Sequence, residues 1–268
     1  MNMQVRPPID PRIRQRRIAV RRQEGRRRLR LLIGIATVSG LVVGGWGATR
    51  SPLLDVDGIA VVGADHTPRE DLVSASGVRF GQAMVDVDER GAVRALALLP
   101  WVRTATVERR WPDSVVIRVV ERQPLAAAPS GDGWAVVDAT GQVLALSPSA
   151  PSNLLALAGI PSAGPPGSSL GGAAADLLAV AAVVPADLRP RVGAVRAGSD
   201  GGVELDLHPE GTVRLGPAHQ LEEKFRAALT VLGQVDTTGL ATLDVRIPGS
   251  PVLTRLNPVG NVSPLGTG

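Results

Sequence analysis

Residues 31–49 read LLIGIATVSGLVVGGWGAT, a run without a charged side chain that lies between Arg30 and Arg50. An α-helix rises about 1.5 Å per residue, so this run would form a helix roughly 28 Å long, close to the hydrocarbon thickness of a bilayer. A soluble helix of this length would show a polar face, whereas here the hydroxyls of Thr37 and Ser39 can bond back to helix carbonyls. Residues 31–49 are therefore predicted to form a transmembrane helix.

The charge ahead of this run predicts its orientation. Residues 1–30 hold eleven arginines and only two acidic residues, whereas the whole chain carries a net charge of +4. Arginines close to a span stay on the cytoplasmic side. We therefore expect a single-pass type II protein of the cytoplasmic (inner) membrane, with its N-terminus inside and its C-terminal domains extracytoplasmic. Contact with anionic lipid explains the basic tail better than nucleic-acid binding, which we do not expect.

A cleaved signal peptide is the alternative for this segment. The basic region is longer than that of a typical signal peptide, and so is the apolar run. The sequence Trp46-Gly47-Ala48-Thr49 offers no clean A-x-A cleavage site. We therefore predict an uncleaved anchor. The chain contains no cysteine, so the exported part must be stable without disulfides.

Small residues recur at every fourth position of the predicted helix. This spacing places them on one helix face, where a second helix can approach closely. We predict that this face packs against the transmembrane helix of another protein, although an alanine- and glycine-rich chain also produces such spacing by chance. The four residues are Ala36, Gly40, Gly44 and Ala48.

The segment after the anchor has the pattern β-α-α-β-β. A strand ends at Gly63, and two short helices follow, which end at Gly77 and Pro100. Their starts resemble capping boxes, Thr67 with Glu70 and Asp86 with Glu89. Two strands complete the unit, and the second shows the period-two alternation of a strand with one buried face. They are predicted over Val102–Arg110 and Ser114–Arg122.

The remainder is predicted to be mostly β. Helices are expected over Ala173–Val184 and from Leu221 to Gly233, the second with a strong apolar face. The predicted strands are Trp134–Val137, Gln142–Leu146, Leu154–Leu157, Val192–Arg196, Val203–Leu207, Thr212–Leu215, Ala241–Ile247 and Val252–Leu256. The fold class is α+β: a single transmembrane helix, a βααββ domain, and a larger mixed antiparallel β-domain with two helices.

Residues that could carry catalysis are few. Gly167 to Gly171 matches G-x-S-x-G around Ser169, with Asp206 and His208 downstream, but the proline-rich segment ahead of it cannot form the strand that a nucleophile elbow requires. The three histidines lack metal-ligand spacing, and the acidic residues between 55 and 89 are explained by capping or solvation. We expect no catalytic, cofactor or metal site.

An ordered set of motifs resembles the FtsQ/DivIB family of bacterial cell-division proteins. The set comprises the strand ending in Gly63, Pro100-Trp101-Val102, Arg110-Trp111-Pro112, Glu121-Arg122-Gln123-Pro124 and the turn Asp138 to Gly141, behind a single N-in anchor. The resemblance implies a basic cytoplasmic tail at 1–30, a transmembrane helix at 31–49, a POTRA-like domain at 54–122, a β-domain at 123–257 and a disordered tail at 258–268.

The C-terminal strands are the expected binding region. A last strand tends to lie at a sheet edge, where unpaired N–H and C=O groups can be completed by another chain. The resemblance implies a non-enzymatic scaffold at the division septum. The resemblance further implies that the last strands bind FtsB/DivIC-like and FtsL-like small membrane proteins. It implies that the POTRA unit and the transmembrane helix contact other septal proteins, and that these contacts couple the bound division proteins to septal cell-wall synthesis. The implied partner-binding residues are Leu243, Val245, Arg246, Ile247, Val252, Leu253, Thr254, Arg255 and Leu256. The alternatives are an exported serine hydrolase and a POTRA-type secretion chaperone.

Overall fold

The computed structural model describes residues 11–48, 50–235 and 239–255. By internal contacts the chain divides into two compact units. The first contains the residues up to Ala60 together with Val78–Glu89 and Glu108–Val116. The second contains Val61–Gly77, Arg90–Val107 and the residues from Ile117 onward.

Helix α1 spans Pro11–Ala48. Within it, Arg28–Gly47 has a mean hydropathy of 1.7, and no residue of this stretch is buried in the chain. The stretch is therefore long and apolar enough to cross a membrane. The chain is helical over the predicted range as far as Ala48, and its crossing of a membrane stays a prediction. Thr49 and the first ten residues of the basic tail lie outside the described residues.

The predicted β-α-α-β-β order is confirmed. It consists of β1 (Gly58–Val62), α2 (Arg69–Ser76), α3 (Glu89–Leu96), β2 (Val102–Arg110) and β3 (Ser114–Glu121). The three strands form a sheet in the order β1-β3-β2. Helix α2 ends at Gly77 in the left-handed conformation (φ 71°), as its sequence predicts.

Both predicted capping boxes are wrong, because residues distant in sequence supply the contacts. Helix α2 has no side-chain cap at its N-terminus. Instead, the carboxylate of Glu121 accepts hydrogen bonds from the backbone N–H groups of His66 and Thr67, each at 2.9 Å. Glu89, the first residue of α3, accepts hydrogen bonds from the backbone N–H and the Nε of Arg109, at 3.1 and 3.0 Å.

The larger sheet has nine strands in the order β12-β11-β10-β9-β8-β7-β4-β5-β6. Five neighbouring pairs are antiparallel and three are parallel, namely β4 with β7, β7 with β8, and β10 with β11. The strands are β4 (Pro124–Ser130), β5 (Gly133–Asp138), β6 (Val143–Ser147), β7 (Leu155–Ala158), β8 (Val192–Ala197), β9 (Val203–Leu207), β10 (Thr212–Gly216), β11 (Leu240–Asp244) and β12 (Val252–Arg255). The mixed β-domain is confirmed, and β4 is a strand that the sequence analysis did not identify.

Two helices pack against this sheet. They are α4 (Ala175–Val183) and α5 (Leu221–Gln234), and the hydrophobic core lies between them and the sheet. The predicted apolar face of α5 is confirmed, since Phe225, Ala228 and Leu232 are buried. Gly233 does not end this helix, which continues to Gln234.

Helix α5 also buries Lys224 completely. Its ammonium Nζ donates a hydrogen bond to the carbonyl oxygen of Pro217 at 2.8 Å. Burial lowers the pKa of Lys224, because a charged ammonium is less stable away from water. The contact ties the segment ahead of α5 to the helix.

Candidate functional site

The last two strands hold different positions in the larger sheet. Strand β11 pairs in parallel with β10 on one side and antiparallel with β12 on the other. Strand β12 pairs with β11 alone and forms one edge of the sheet. Along its outer side, the backbone N–H and C=O groups have no neighbouring strand among the described residues, as expected for the C-terminal strand.

Two of the predicted partner-binding residues are parts of the core. Leu243 and Val245 are both 0% exposed. The backbone N–H of Val245 also donates to the carbonyl oxygen of Arg214 at 3.0 Å, which extends the β10–β11 ladder by one bond. A partner can therefore not touch the side chains of Leu243 and Val245 in this fold, and their part in binding is to support the edge.

The exposed part of the predicted surface lies on β12 and the turn before it. Val252 is 59% exposed and Ile247 is 69% exposed. Thr254 and Arg255 are also exposed, whereas Leu253 is partly buried against the core. Leu256 lies outside the described residues. The predicted set is thus divided into an exposed edge strand and a buried supporting strand.

Ion pairs fix the end of β11. The guanidinium of Arg246 contacts Asp244 at 2.7 Å and Asp200 at 3.3 Å, and Arg214 contacts Glu204 at 2.9 Å. The hydrogen bond from Arg246 lowers the pKa of Asp244, and the same pair raises the pKa of Arg246. Arg246 therefore already uses its charge within the chain, which weakens its case as a direct partner contact.

A groove adjoins the start of β12. It has a volume of about 430 Å³ and lies between α5 and the turn that precedes the strand. Ala227 and Val231 of α5 line one side, and Pro248 and Pro251 line the other. A chain paired with β12 could therefore place flanking residues against α5. The sequence analysis missed this groove because it depends on the packing of α5 beside a turn that follows it in sequence.

Two of the four small residues predicted to form a packing face on α1 have open surroundings in the part of the chain that the structure describes. A side chain added at Gly40 or Gly44 would meet no other atom within 4 Å. Thr37 donates its hydroxyl to the carbonyl oxygen of Ile33 at 2.9 Å, as the sequence predicts. Packing of Ala36, Gly40, Gly44 and Ala48 against another helix stays a prediction.

The Glu121-Arg122 motif joins β3 to the larger sheet. While Glu121 holds the loop ahead of α2, Arg122 forms an ion pair with Asp138 at 2.8 Å. The backbone N–H of Arg122 donates to the carbonyl oxygen of Trp101 at 2.7 Å. These residues, which the sequence analysis used only as family markers, are structural.

The residues considered for hydrolysis are not arranged as a nucleophile elbow. Ser169 follows an irregular segment and forms an isolated β-bridge with Gln142, and its hydroxyl accepts a hydrogen bond from the N–H of Gly171. Asp206, the candidate acid of a hydrolase triad, pairs with Arg196 at 3.2 Å. Within the described ranges, no group of three or more His, Cys, Asp or Glu residues is placed to hold a metal ion.

Family comparisons agree with this architecture. The FtsQ-type POTRA domain matches residues 54–122, and the C-terminal domain of cell division protein FtsQ/DivIB matches residues 126–246. The cell division protein FtsQ of Streptomyces venezuelae is 31% identical over 252 residues, which cover 91% of this chain and 89% of that protein.

Two other relatives align over less of their length. FtsQ of Mycolicibacterium smegmatis is 29% identical over 85% of this chain and 66% of that protein. FtsQ of Corynebacterium glutamicum is 30% identical over 42% of this chain and 50% of that protein. The alignments with these two proteins thus span between half and two thirds of their length.

The chain also aligns with a solved structure of the major extracytoplasmic domain of the cell division protein DivIB from Geobacillus stearothermophilus. The alignment covers 43% of this chain and 98% of the DivIB chain. Its sequence identity is 18% and its TM-score is 0.32, which is too low to bear on the fold. The nearly full-length alignment with the Streptomyces venezuelae protein, together with the two consecutive domain matches, shows that the chain belongs to the FtsQ family of bacterial cell-division proteins.

Proposed function

We propose that this protein is a non-enzymatic division scaffold whose strand β12 is completed by an extended segment of another membrane protein. The observation that carries the proposal is the position of β12 at the edge of the nine-stranded sheet, with Val252, Thr254 and Arg255 exposed. Pairing of an extended segment with such an edge supplies main-chain hydrogen bonds without any covalent chemistry. FtsB/DivIC-like and FtsL-like proteins are the proposed partners.

The proposed placement of the scaffold follows from α1. Its apolar stretch would anchor the protein in the cytoplasmic membrane, with the arginine-rich tail inside and residues 54–122 and 123–257 as two domains outside. At the division septum, the POTRA unit and α1 would contact further septal proteins. The complex would thereby be coupled to septal cell-wall synthesis.

The test must act on β12, because a proline at Val245 would break the core and the β10–β11 ladder. Thr254 and Arg255 are exposed neighbours whose N–H groups point to opposite sides of the strand. Thr254→Pro and Arg255→Pro therefore remove one donor facing β11 and one donor facing outward. We expect the variant that lacks the outward donor to lose co-purification of the FtsB/DivIC-like partner from detergent while its melting temperature stays close to that of the unmodified chain.

Leu146→Pro is the control, because Leu146 is an exposed residue of β6 at the opposite edge of the same sheet. This variant should retain the partner. If both β12 variants fold and bind the partner as the unmodified chain does, pairing at this edge is wrong.

A further inference from the structure

Exposed apolar side chains gather at one end of the first unit. Leu53 is 82% exposed, Phe80 is 65% exposed and Trp111 is 53% exposed, and Val85 is partly exposed as well. The chain has only two phenylalanines, and the other, Phe225, is buried in the core. Exposure of large apolar side chains in a group marks a contact surface. We call these four residues the proximal surface.

Backbone hydrogen bonds bring the segments of this surface together around the start of β1. The N–H of Asp57 donates to the carbonyl oxygen of Asp113 at 2.8 Å, which holds the turn that contains Trp111. The N–H of Gly81 donates to the carbonyl oxygen of Val56 at 2.9 Å, which holds the loop that contains Phe80. The three segments therefore meet at one end of the sheet.

This end is tied to the C-terminal end of α1. The guanidinium of Arg50 lies over the ring of Trp46, 4.7 Å from its centroid, and forms an ion pair with Asp86 at 3.1 Å. Arg50 is three residues beyond Gly47, where the apolar stretch ends, so its backbone is at most about 10 Å away. A headgroup layer is roughly 5–8 Å thick on each side of a bilayer. The Arg50–Asp86 pair therefore lies at or just beyond the headgroups if α1 spans the membrane.

Two acidic side chains at this end are paired within the unit: Asp86 with Arg50, and Glu89 with Arg109 at 3.0 Å. What the surface offers is apolar area with an aromatic ring, the combination that is enriched at membrane interfaces. The exposed apolar area and its closeness to the end of the apolar stretch therefore favour a lipid interface.

We propose that the proximal surface inserts shallowly into the interfacial layer of the bilayer that α1 spans, and so holds the first unit against the membrane. The inference rests on the membrane anchoring under the proposed function. Contact with zwitterionic lipid should suffice, and raised ionic strength should leave it unchanged.

Spin labelling of the full-length chain in phosphatidylcholine vesicles tests this contact. Because the chain has no cysteine, Phe80→Cys and Trp111→Cys each give a single labelling site on an exposed residue. The nitroxide's collision rate with oxygen, divided by that with a water-soluble nickel chelate, rises inside the bilayer. We expect this ratio to be several-fold higher at positions 80 and 111 than for Leu146→Cys, an exposed apolar position of β6.

Val38→Cys, inside the apolar stretch, separates the two possible failures. A high ratio at position 38 with water-like ratios at positions 80 and 111 would overturn the proximal surface as a lipid contact and leave the anchor intact. A water-like ratio at position 38 would overturn the anchor and this inference with it. High ratios at 38, 80 and 111, unchanged at raised ionic strength, support the inference.

Discussion

Glu121 holds the loop between β1 and α2 with its carboxylate, although 54 residues separate it from Thr67. It accepts hydrogen bonds from two backbone N–H groups and contacts the Nδ1 of His66 at 2.9 Å. The ring of His66 stacks in turn on Trp101, with centroids 4.2 Å apart. Burial alone would raise the pKa of Glu121, but the hydrogen bonds from Thr67 and His66 lower it from 4.5 to about 2.

This pKa shift predicts how stability changes with pH. A carboxylate with a depressed pKa in the folded state contributes stability above its unfolded pKa, and the contribution is lost as pH falls from 4.5 towards 2. We expect Glu121→Gln to lower the unfolding free energy by about 2 kcal/mol at pH 7 and by progressively less towards pH 2. Urea denaturation of the detergent-solubilised chain at several pH values measures this difference.

Glu222→Gln is the matched control. Glu222 is exposed and pairs with Arg226 on the surface of α5 at 2.7 Å, so its loss should cost only about 0.2–0.5 kcal/mol. If Glu121→Gln were as mild as this control at pH 7, or if its cost did not fall with pH, the role of the ionised carboxylate would be wrong.

At the scale of elements, local sequence predicts strands and helices better than it predicts their neighbours. Strand β9 has the predicted bounds because its apolar and polar residues alternate. Strand β2 also has the predicted bounds, although its two buried residues, Val102 and Val107, lie five positions apart. Strand β4 was missed because its centre is Ala126 to Ala128, and alanine favours strands weakly. Its burial between β5 and β7 depends on segments on either side of it in sequence.

At the candidate site, too, the local sequence predicts the strands but not which strands they lie beside. The sequence predicts two C-terminal strands and favours an edge, but it does not predict that β11 returns after α5 to lie parallel to β10. That pairing buries Leu243 and leaves β12, of the two C-terminal strands, at the edge of the sheet. The capping predictions at Thr67 and Asp86 are wrong for the same reason. The N–H of Thr67 donates to the carboxylate of Glu121, and the carboxylate of Asp86 pairs with Arg50, so both contacts join residues that are distant in sequence.

The small-residue face of α1 gives a prediction at this scale. A Cβ added at Gly40 or Gly44 would meet nothing within 4 Å in the described part of the chain, so larger side chains there should leave the chain's own fold unchanged. If this face packs against another helix, Gly40→Ile combined with Gly44→Ile should weaken co-purification of a partner by several-fold, because close approach of the backbones is lost. Quantitative pull-down from detergent measures the loss.

Gly34→Ile combined with Gly45→Ile serves as the control, since both glycines also have open surroundings but lie off the face of Gly40 and Gly44. Equal binding by the two double variants would show that the spacing of small residues has no role. A loss with both pairs would point to helix volume in general rather than to this face.

For the whole molecule, depletion in cells distinguishes a scaffold from a hydrolase or a secretion factor. Depletion of a scaffold should produce filaments or branched undivided cells with failed septa as the first defect. We expect Ser169→Ala to restore division fully, because Ser169 lies in an irregular exposed segment without the strand that a nucleophile elbow needs.

The β12 proline variant that lacks the outward-facing N–H donor should reach the septum through its intact anchor and POTRA unit and yet fail to restore division. Fluorescence microscopy of tagged variants, with cell length as the readout, measures both results. Failure of Ser169→Ala at normal protein levels would favour the hydrolase, whereas full rescue by both β12 proline variants would separate the division role from the free sheet edge.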